Sequence, residues 1–202
     1  MRKTIIAFVG GMASGKGFAA EILAEQGYSL YVLSSRVKEQ LVSQGIPETR
    51  ESKTWMGNRL REEHGADALM AMTDQLVKED PNSKIVVDGI RNKGEIDYLQ
   101  REYGKDNVFT IGVEADFELR WERIQKRERE GDPETREEFG RLVKIENGEG
   151  QDKFGLQVDA CMRRANITIE NNSDNPADLR KKLMDGLVTL GIEGQVNQRE
   201  RR

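Results

Sequence analysis

Eight consecutive residues near the N-terminus carry the strongest chemical signal: Gly10, Gly11, Met12, Ala13, Ser14, Gly15, Lys16 and Gly17. They satisfy the pattern G-x-x-x-x-G-K, with glycine where a serine or threonine usually closes it. An apolar run, Thr4 to Val9 (TIIAFV), precedes them. A stretch with Phe18, Ala19, Ile22 and Leu23 at helical spacing follows, and Gly27 stops it. Glycines let a backbone wrap an anion, so that successive N–H groups and a helix N-terminus point at a β-phosphate. Lys16 then supplies a mobile point charge to the β- and γ-oxygens. The competing reading is a glycine-rich turn with an exposed lysine. Strand, spacing, lysine and helix agree with each other, which favours phosphate. Gly17 removes the usual hydroxyl ligand of Mg2+, so the ion would be held through water, by Ser14, or by a carboxylate elsewhere.

Asp88 follows Ile85-Val86-Val87, which puts a carboxylate at the C-terminal end of a buried strand. That is the place of an acid that binds Mg2+ directly or through its water. Arg91 comes three residues later, within reach of the phosphates of either substrate. Alone, Asp88-Gly89 reads as a strand-ending turn; coupled to the glycine loop it reads as functional. Phe117, Trp121 and Ile124 share one helical face, and Arg120, Arg123 and Arg127 fall on a neighbouring arc. Three guanidinium groups beside a phosphate site suggest a lid, turning at Arg129, Gly131, Asp132 and Pro133. The bland reading is a solvated helix pairing with Glu118, Glu122 and Glu130. Few apolar residues lie between Lys126 and Glu138, as low local stability requires. Ser34, Ser35, Arg36, Lys38, Asn58 and Arg61 would suit an acceptor's phosphate, sugar or base, and equally a surface hairpin laced with ion pairs. His64, before Gly65, reads as a helix C-terminus, and Cys161 as a small packed side chain.

These groups need elements to hold them. Besides Thr4–Val9, strands are expected at Tyr28–Leu33, Lys84–Asp88, Asn107–Val113 and Asn166–Glu170, with helical patterns between them. Such alternation implies an α/β fold with a five-stranded parallel sheet and helices on both faces. Asn175 reads as an N-cap with Pro176 at N1, and Leu179, Leu183 and Leu187 share one face. Residues 35–78 and 128–163 break the simple alternation. They are expected to rise as insertions from the C-terminal edge of the sheet, where such folds place ligands. The first would serve the acceptor, and a lid would span about 120–155. One domain is expected over 1–193, with a frayed polar tail at 194–202.

The 202 residues are 36% hydrophobic and 34% charged, but 32 basic against 36 acidic residues leave a net charge of −4. That balance excludes a histone-like protein and a disordered polyelectrolyte, and it offers nucleic acid no extended positive footprint. One cysteine and one histidine exclude an intrachain disulfide and a Cys/His zinc site. The run Ile5 to Val9 is too short for a membrane span. The expectation is a soluble, reduced, cytoplasmic protein acting on small nucleotides, with its oligomeric state left open.

Beyond these features, several stretches carry a family likeness: GGMASGKG, Gly45-Ile46-Pro47-Glu48-Thr49, Leu60 to Ala68 (LREEHGADA), Asp88-Gly89-Ile90-Arg91-Asn92 with Glu95, Arg120 to Pro133, and Ile167 to Asn171. From Ile5 to about Leu187 the chain resembles the largely archaeal P-loop nucleoside monophosphate kinase-like proteins, related to dephospho-coenzyme A kinase and adenylate kinase. Its loop is similar to that of adenylate kinases, which also place Gly after the Lys but then Thr, where this sequence has Phe18. Asp88-Gly89-Ile90-Arg91 resembles the Asp-Gly-x-x-Arg signature of nucleoside monophosphate kinases, one residue shorter. The resemblance implies a P-loop fold with ATP and Mg2+ as cofactors, and transfer of the γ-phosphate to a small nucleotide-like acceptor. It sets Lys16, Asp88, Arg91, Arg120, Arg123 and Arg127 around the transferred group and Asp88 on the metal. Phe18 and Asn171 join the loop on the donor, and Ser34, Ser35, Arg36, Lys38, Arg61 and Arg91 attend the acceptor. Two departures stand out. The Met-Gly-Asp of relatives after the second strand is here Leu33-Ser34-Ser35, and a nearby arginine is Lys38. Alternatives are a dephospho-coenzyme A kinase and an ATP-binding regulatory module without catalysis, towards which the carboxylate missing at Ser35 leans.

Overall fold

Five strands, β1 (Thr4–Val9), β2 (Ser29–Val32), β3 (Lys84–Ile90), β4 (Val108–Glu114) and β5 (Ile167–Glu170), lie parallel in the order β2-β3-β1-β4-β5. The structure is a computed structural model that describes residues 2–127, 129 and 131–192. The tail expected at 194–202 therefore lies outside the described residues. β1 is central, and Ile5 to Val9 are completely buried. Apolar residues on both faces are what a covered parallel strand requires.

Successive side chains of β1 point to opposite faces and so belong to two cores. Ile6 and Phe8 pack with Ile22 and Leu23 of α1 (Lys16–Glu25) and with Leu179, Leu183 and Leu187 of α9 (Pro176–Thr189). Ile5, Ala7 and Val9 pack with the other face. That face is covered by α2 (Ser34–Ser43), α3 (Arg50–His64), α4 (Ala68–Glu79), α5 (Lys93–Tyr103) and the short α8 (Val158–Met162). The expected N-cap forms: Asn175 accepts from Ala177 N, with Pro176 following it. His64 ends α3, and Cys161 is buried on α8.

Two differences from the sequence reading bear on the site. Asp88 does not end its strand. β3 continues to Ile90 through a bulge at Gly89 (φ +94), where the register against Phe8 and Val9 slips. The two segments expected to rise as insertions do so only in part. α4 buries Leu69, Met70 and Val77 against the sheet as the crossover that two adjacent parallel strands need, and α8 buries Val158 and Cys161 there too. No described helix is long and apolar enough to cross a membrane.

A third, smaller cluster holds α6 (Phe117–Arg127) and α7 (Arg136–Asn147) to the glycine loop. Met12, Ile124 and Phe139 are buried together, and the Phe139 ring lies 4.7 Å from Phe117 and 5.8 Å from Trp121. This cluster is separate from the two cores. Phe139→Ala is therefore expected to speed amide exchange in 117–127 and 136–147, measured by mass spectrometry, while the sheet amides keep their protection. Cys161 provides a second check. Burial pushes its thiol up to about 12, so at pH 8 it is protonated as well as covered. Native protein is expected to react with a disulfide reagent only after denaturant is added.

Candidate active site

The glycine loop is shaped by neighbours as much as by its own residues. A Cβ on Gly10 would strike the Val113 carbonyl oxygen of β4 and come within 2.7 Å of Ser14 Oγ. Gly15 adopts φ +100 beneath the side-chain amide of Asn171, and Ala13 holds φ 59, a left-handed conformation few non-glycine residues take. Asn171 Nδ2 donates to Ser14 O at 2.8 Å, and Arg120 Nε donates to Met12 O at 2.7 Å. Lys16 begins α1, with Nζ 3.5 Å from Gly11 O. Lost hydration first, and then the Arg91 charge, pull its pKa below the ordinary lysine value, against the opposing carboxylates of Asp88 and Glu146.

Asp88 faces the first turn of α1. The Cβ that Gly17 lacks would stand 3.7 Å from Asp88 Oδ2, and Asp88 Oδ1 is buried without a hydrogen-bond partner among the described residues. An orphaned carboxylate oxygen beside a phosphate-binding loop fits a hard cation such as Mg2+, which takes one or two carboxylates and completes its shell with phosphate and water oxygens. Among the described residues no cluster of three or more His, Cys, Asp or Glu side chains gathers to hold a metal alone. Ser14 Oγ, the other candidate, is also buried and unpartnered.

Met12 also lines a cavity of about 400 Å3. Ser34, Ser35 and Lys38 line it from α2, Arg50, Lys53 and Arg61 from α3, Gly89 from the bulge of β3, Arg91 from the β3–α5 loop, and Glu146 from α7. Its cations are held by carboxylates: Lys38 and Lys53 by Glu48 (3.2 and 3.3 Å), Arg50 by Asp132, and Arg91 by Glu146 (2.7 Å). Arg61 is 1% exposed, and its Nε and Nη2 reach Glu95 Oε1 at 3.1 and 2.8 Å. Glu95 Oε2 accepts in turn from the backbone of Arg91 and Asn92 at 2.8 and 3.1 Å. This ion pair thus fixes the loop that presents Arg91, while Arg61 Nη1 remains unpartnered.

Not every expected residue gathers here. The arginine arc of α6 splits. Arg120 braces the glycine loop, Arg123 reaches the carbonyls of Asn171 and Ser173 at 2.9 and 2.8 Å, and Arg127 pairs with Asp132, which also takes Arg50. Glu118 pairs with Arg136 rather than with that arc. Arg36 turns along its own helix to Glu39 at 2.6 Å, Asn58 bonds Gln151, and Phe18 stays exposed on α1; none of the three lines the cavity. Asn171 supports the loop from behind through Ser14 O. Arg50, Lys53 and Glu146 escaped the sequence reading. The first two sit one and four residues beyond the Thr49 N-cap of α3, a signal that could have found them. Nothing local marks Glu146.

Fold and loop together define a P-loop, kinase-like α/β protein. A family model described as an AAA domain matches residues 6–151. UPF0200 proteins from Methanosarcina mazei and Methanosarcina barkeri are 32% and 34% identical over 169 and 172 residues. These matches cover 83% and 84% of this chain and 86% and 87% of the relatives. The chain belongs to the UPF0200 family. A UPF0200/UPF0201 protein of Archaeoglobus fulgidus is 31% identical over 96% of this chain, which spans 58% of that relative's length. Among solved structures, a shikimate kinase from Acinetobacter baumannii in complex with shikimate shares the fold, with a TM-score of 0.54, 19% identity and 95% and 96% of the two chains covered. So does a gluconokinase from Sinorhizobium meliloti, with a TM-score of 0.52, 17% identity and 94% and 93% covered.

The buried pair gives a stability test. Glu95→Ala leaves Arg61 uncompensated and is expected to cost about 3–5 kcal/mol in urea unfolding. The paired change Arg61→Met with Glu95→Leu removes the stranded charge and restores part of that loss, the rest remaining because the Arg91 and Asn92 amides still lack their acceptor.

Proposed function

We propose that the protein is an ATP-dependent phosphotransferase whose acceptor is a nucleoside monophosphate or a similar small anionic, nucleotide-like molecule. One observation carries the reading. A braced glycine loop bearing Lys16 adjoins an orphaned, buried carboxylate oxygen of Asp88 and, through Met12, a cation-lined cavity of about 400 Å3. That volume suits a small ligand. The solved structures that share the fold, a shikimate kinase and a gluconokinase, agree with a small-molecule acceptor.

In this reading the loop N–H groups and Lys16 orient the donor's β- and γ-phosphates. Asp88 holds Mg2+, which when bound neutralises charge on those oxygens. Arg91, fixed through Glu95 and Arg61, and Arg120, with a buried and unpartnered Nη2, offset the charge that spreads over the transferred group. Arg123 and Arg127 act one step back, tying α6 to the β5–α9 loop and to Asp132. Ser34, Ser35, Lys38, Arg50 and Lys53 face the acceptor. Placement and electrostatics do the work, so no nucleophilic side chain is required.

The test is labelled ATP with a panel of nucleoside monophosphates and dephospho-coenzyme A, the larger acceptor for the same chemistry. Lys16→Ala is expected to lower kcat/KM at least about a hundredfold with an unchanged circular dichroism spectrum. Wild-type-like turnover in that variant rejects the assignment. Tight ATP binding with no product from any acceptor favours an ATP-binding regulatory module, the reading to which Ser35, lacking a carboxylate, lends support.

A further inference from the structure

The last turn of α7 delivers a carboxylate into the phosphate site, where binding an anion does not call for one. The Glu146 side chain is 6% exposed. Its Oε2 accepts from Met12 N at 2.9 Å, and its Oε1 accepts from Arg91 Nη1 at 2.7 Å. Met12 N–H belongs to the loop whose amides would meet a polyphosphate, and Arg91 is a cation shared by loop and cavity. Lys16 of α1 and Arg120 of α6 complete the positive field around Glu146, while Asp88 of β3 faces Lys16 and Arg91 from another side. Both hydrogen-bond partners of Glu146 thus belong to the site itself.

A carboxylate presents two negatively charged oxygens about as far apart as two oxygens of a phosphoryl group, and it takes the same donors. We propose that Glu146 is an internal anion that occupies the phosphate site of the empty protein and must be expelled when a polyphosphate binds. The inference rests on the phosphotransferase reading and concerns how that site is regulated. Two other roles fit the contacts less well. As a metal ligand, Glu146 would turn an oxygen towards Asp88, yet each oxygen already accepts from an N–H donor. As a mere structural partner of Arg91 it would have no need of the loop amide of Met12. Two anions cannot share these donors, because like charges at this range repel in a poorly hydrated site. The turn of α7 that has to yield is followed at once by Gly148 and Gly150, both at positive φ.

The experiment is calorimetric titration of the full chain with MgATP, MgADP and inorganic pyrophosphate. Glu146→Gln removes the competing charge and is expected to bind all three at least about tenfold more tightly than wild type. Glu146→Asp keeps the charge one methylene short of its donors and is expected to fall between the two. Unchanged or weaker binding by the Gln variant overturns the inference, as does tightening confined to the nucleotides, since the competition is for phosphate. Should the Gln variant not fold, the Asp variant decides alone: tighter than wild type supports the internal anion, equal or weaker rejects it. Absence of binding of all three probes by both wild type and the variants removes the phosphotransferase reading and this inference with it. Wild type that binds, with no gain in the variants, removes only this inference.

Discussion

Four charged side chains, Lys16, Asp88, Arg91 and Glu146, meet at the mouth of the β1–α1 loop, and their mutual neutralisation is the condition on which the rest of the site depends. Each is brought there at a cost in hydration that the others, with the Met12 amide and Glu95, offset. Burial pushes the Glu146 carboxyl upward, yet Arg91, Lys16 and the Met12 amide together hold it below the usual carboxylate range. Arg91 shows the converse: burial pulls its pKa down, but Glu146, Asp88 and Glu95 leave it raised. The four come from α1, β3, the β3–α5 loop and α7, so the quartet can exist only when the whole fold has closed around it.

Rigidity around that quartet is built from ordinary hydrogen bonds rather than from the loop alone. Asn171 and Arg120 take the carbonyls of Ser14 and Met12, which turns the loop's N–H groups away from those supports and towards the site. The Arg61–Glu95 pair does the same for Arg91 by anchoring two successive backbone amides. A buried ion pair of this kind contributes little net stability, and its value here is geometric: it fixes where one guanidinium stands. The small aromatic cluster of Phe117, Trp121 and Phe139 then seats α6 and α7, which bear Arg120 and Glu146, against Met12.

Most of the framework was legible in the sequence because it is encoded locally. The apolar run TIIAFV, the spacing of GGMASGKG and the pattern KIVVD each specify a strand or a loop through nearest neighbours, and Asn175-Pro176 specifies a helix start. The order β2-β3-β1-β4-β5 and the helices on both faces agree with the α/β alternation read along the chain. Even the doubtful position, Gly17, made sense in advance as a missing hydroxyl, and the structure sets Asp88 opposite the gap.

Tertiary structure alone decided which charges pair. Arg120, Arg123 and Arg127 are alike by helical spacing, but the partners that separate them, Met12 O, Asn171 O and Asp132, come from three other parts of the chain. Arg36 and Arg61 were equal candidates by composition; one lies along its own helix to Glu39 and the other is buried against Glu95. Glu146 is one acidic residue among many on a charged helix, and only its docking beside Met12 and Arg91 makes it different. Periodicity and turn chemistry act over a few residues and are written into the sequence. Electrostatic pairing acts through space between segments as much as 155 residues apart, as Arg180 and Glu25 show, and no local pattern records such a contact.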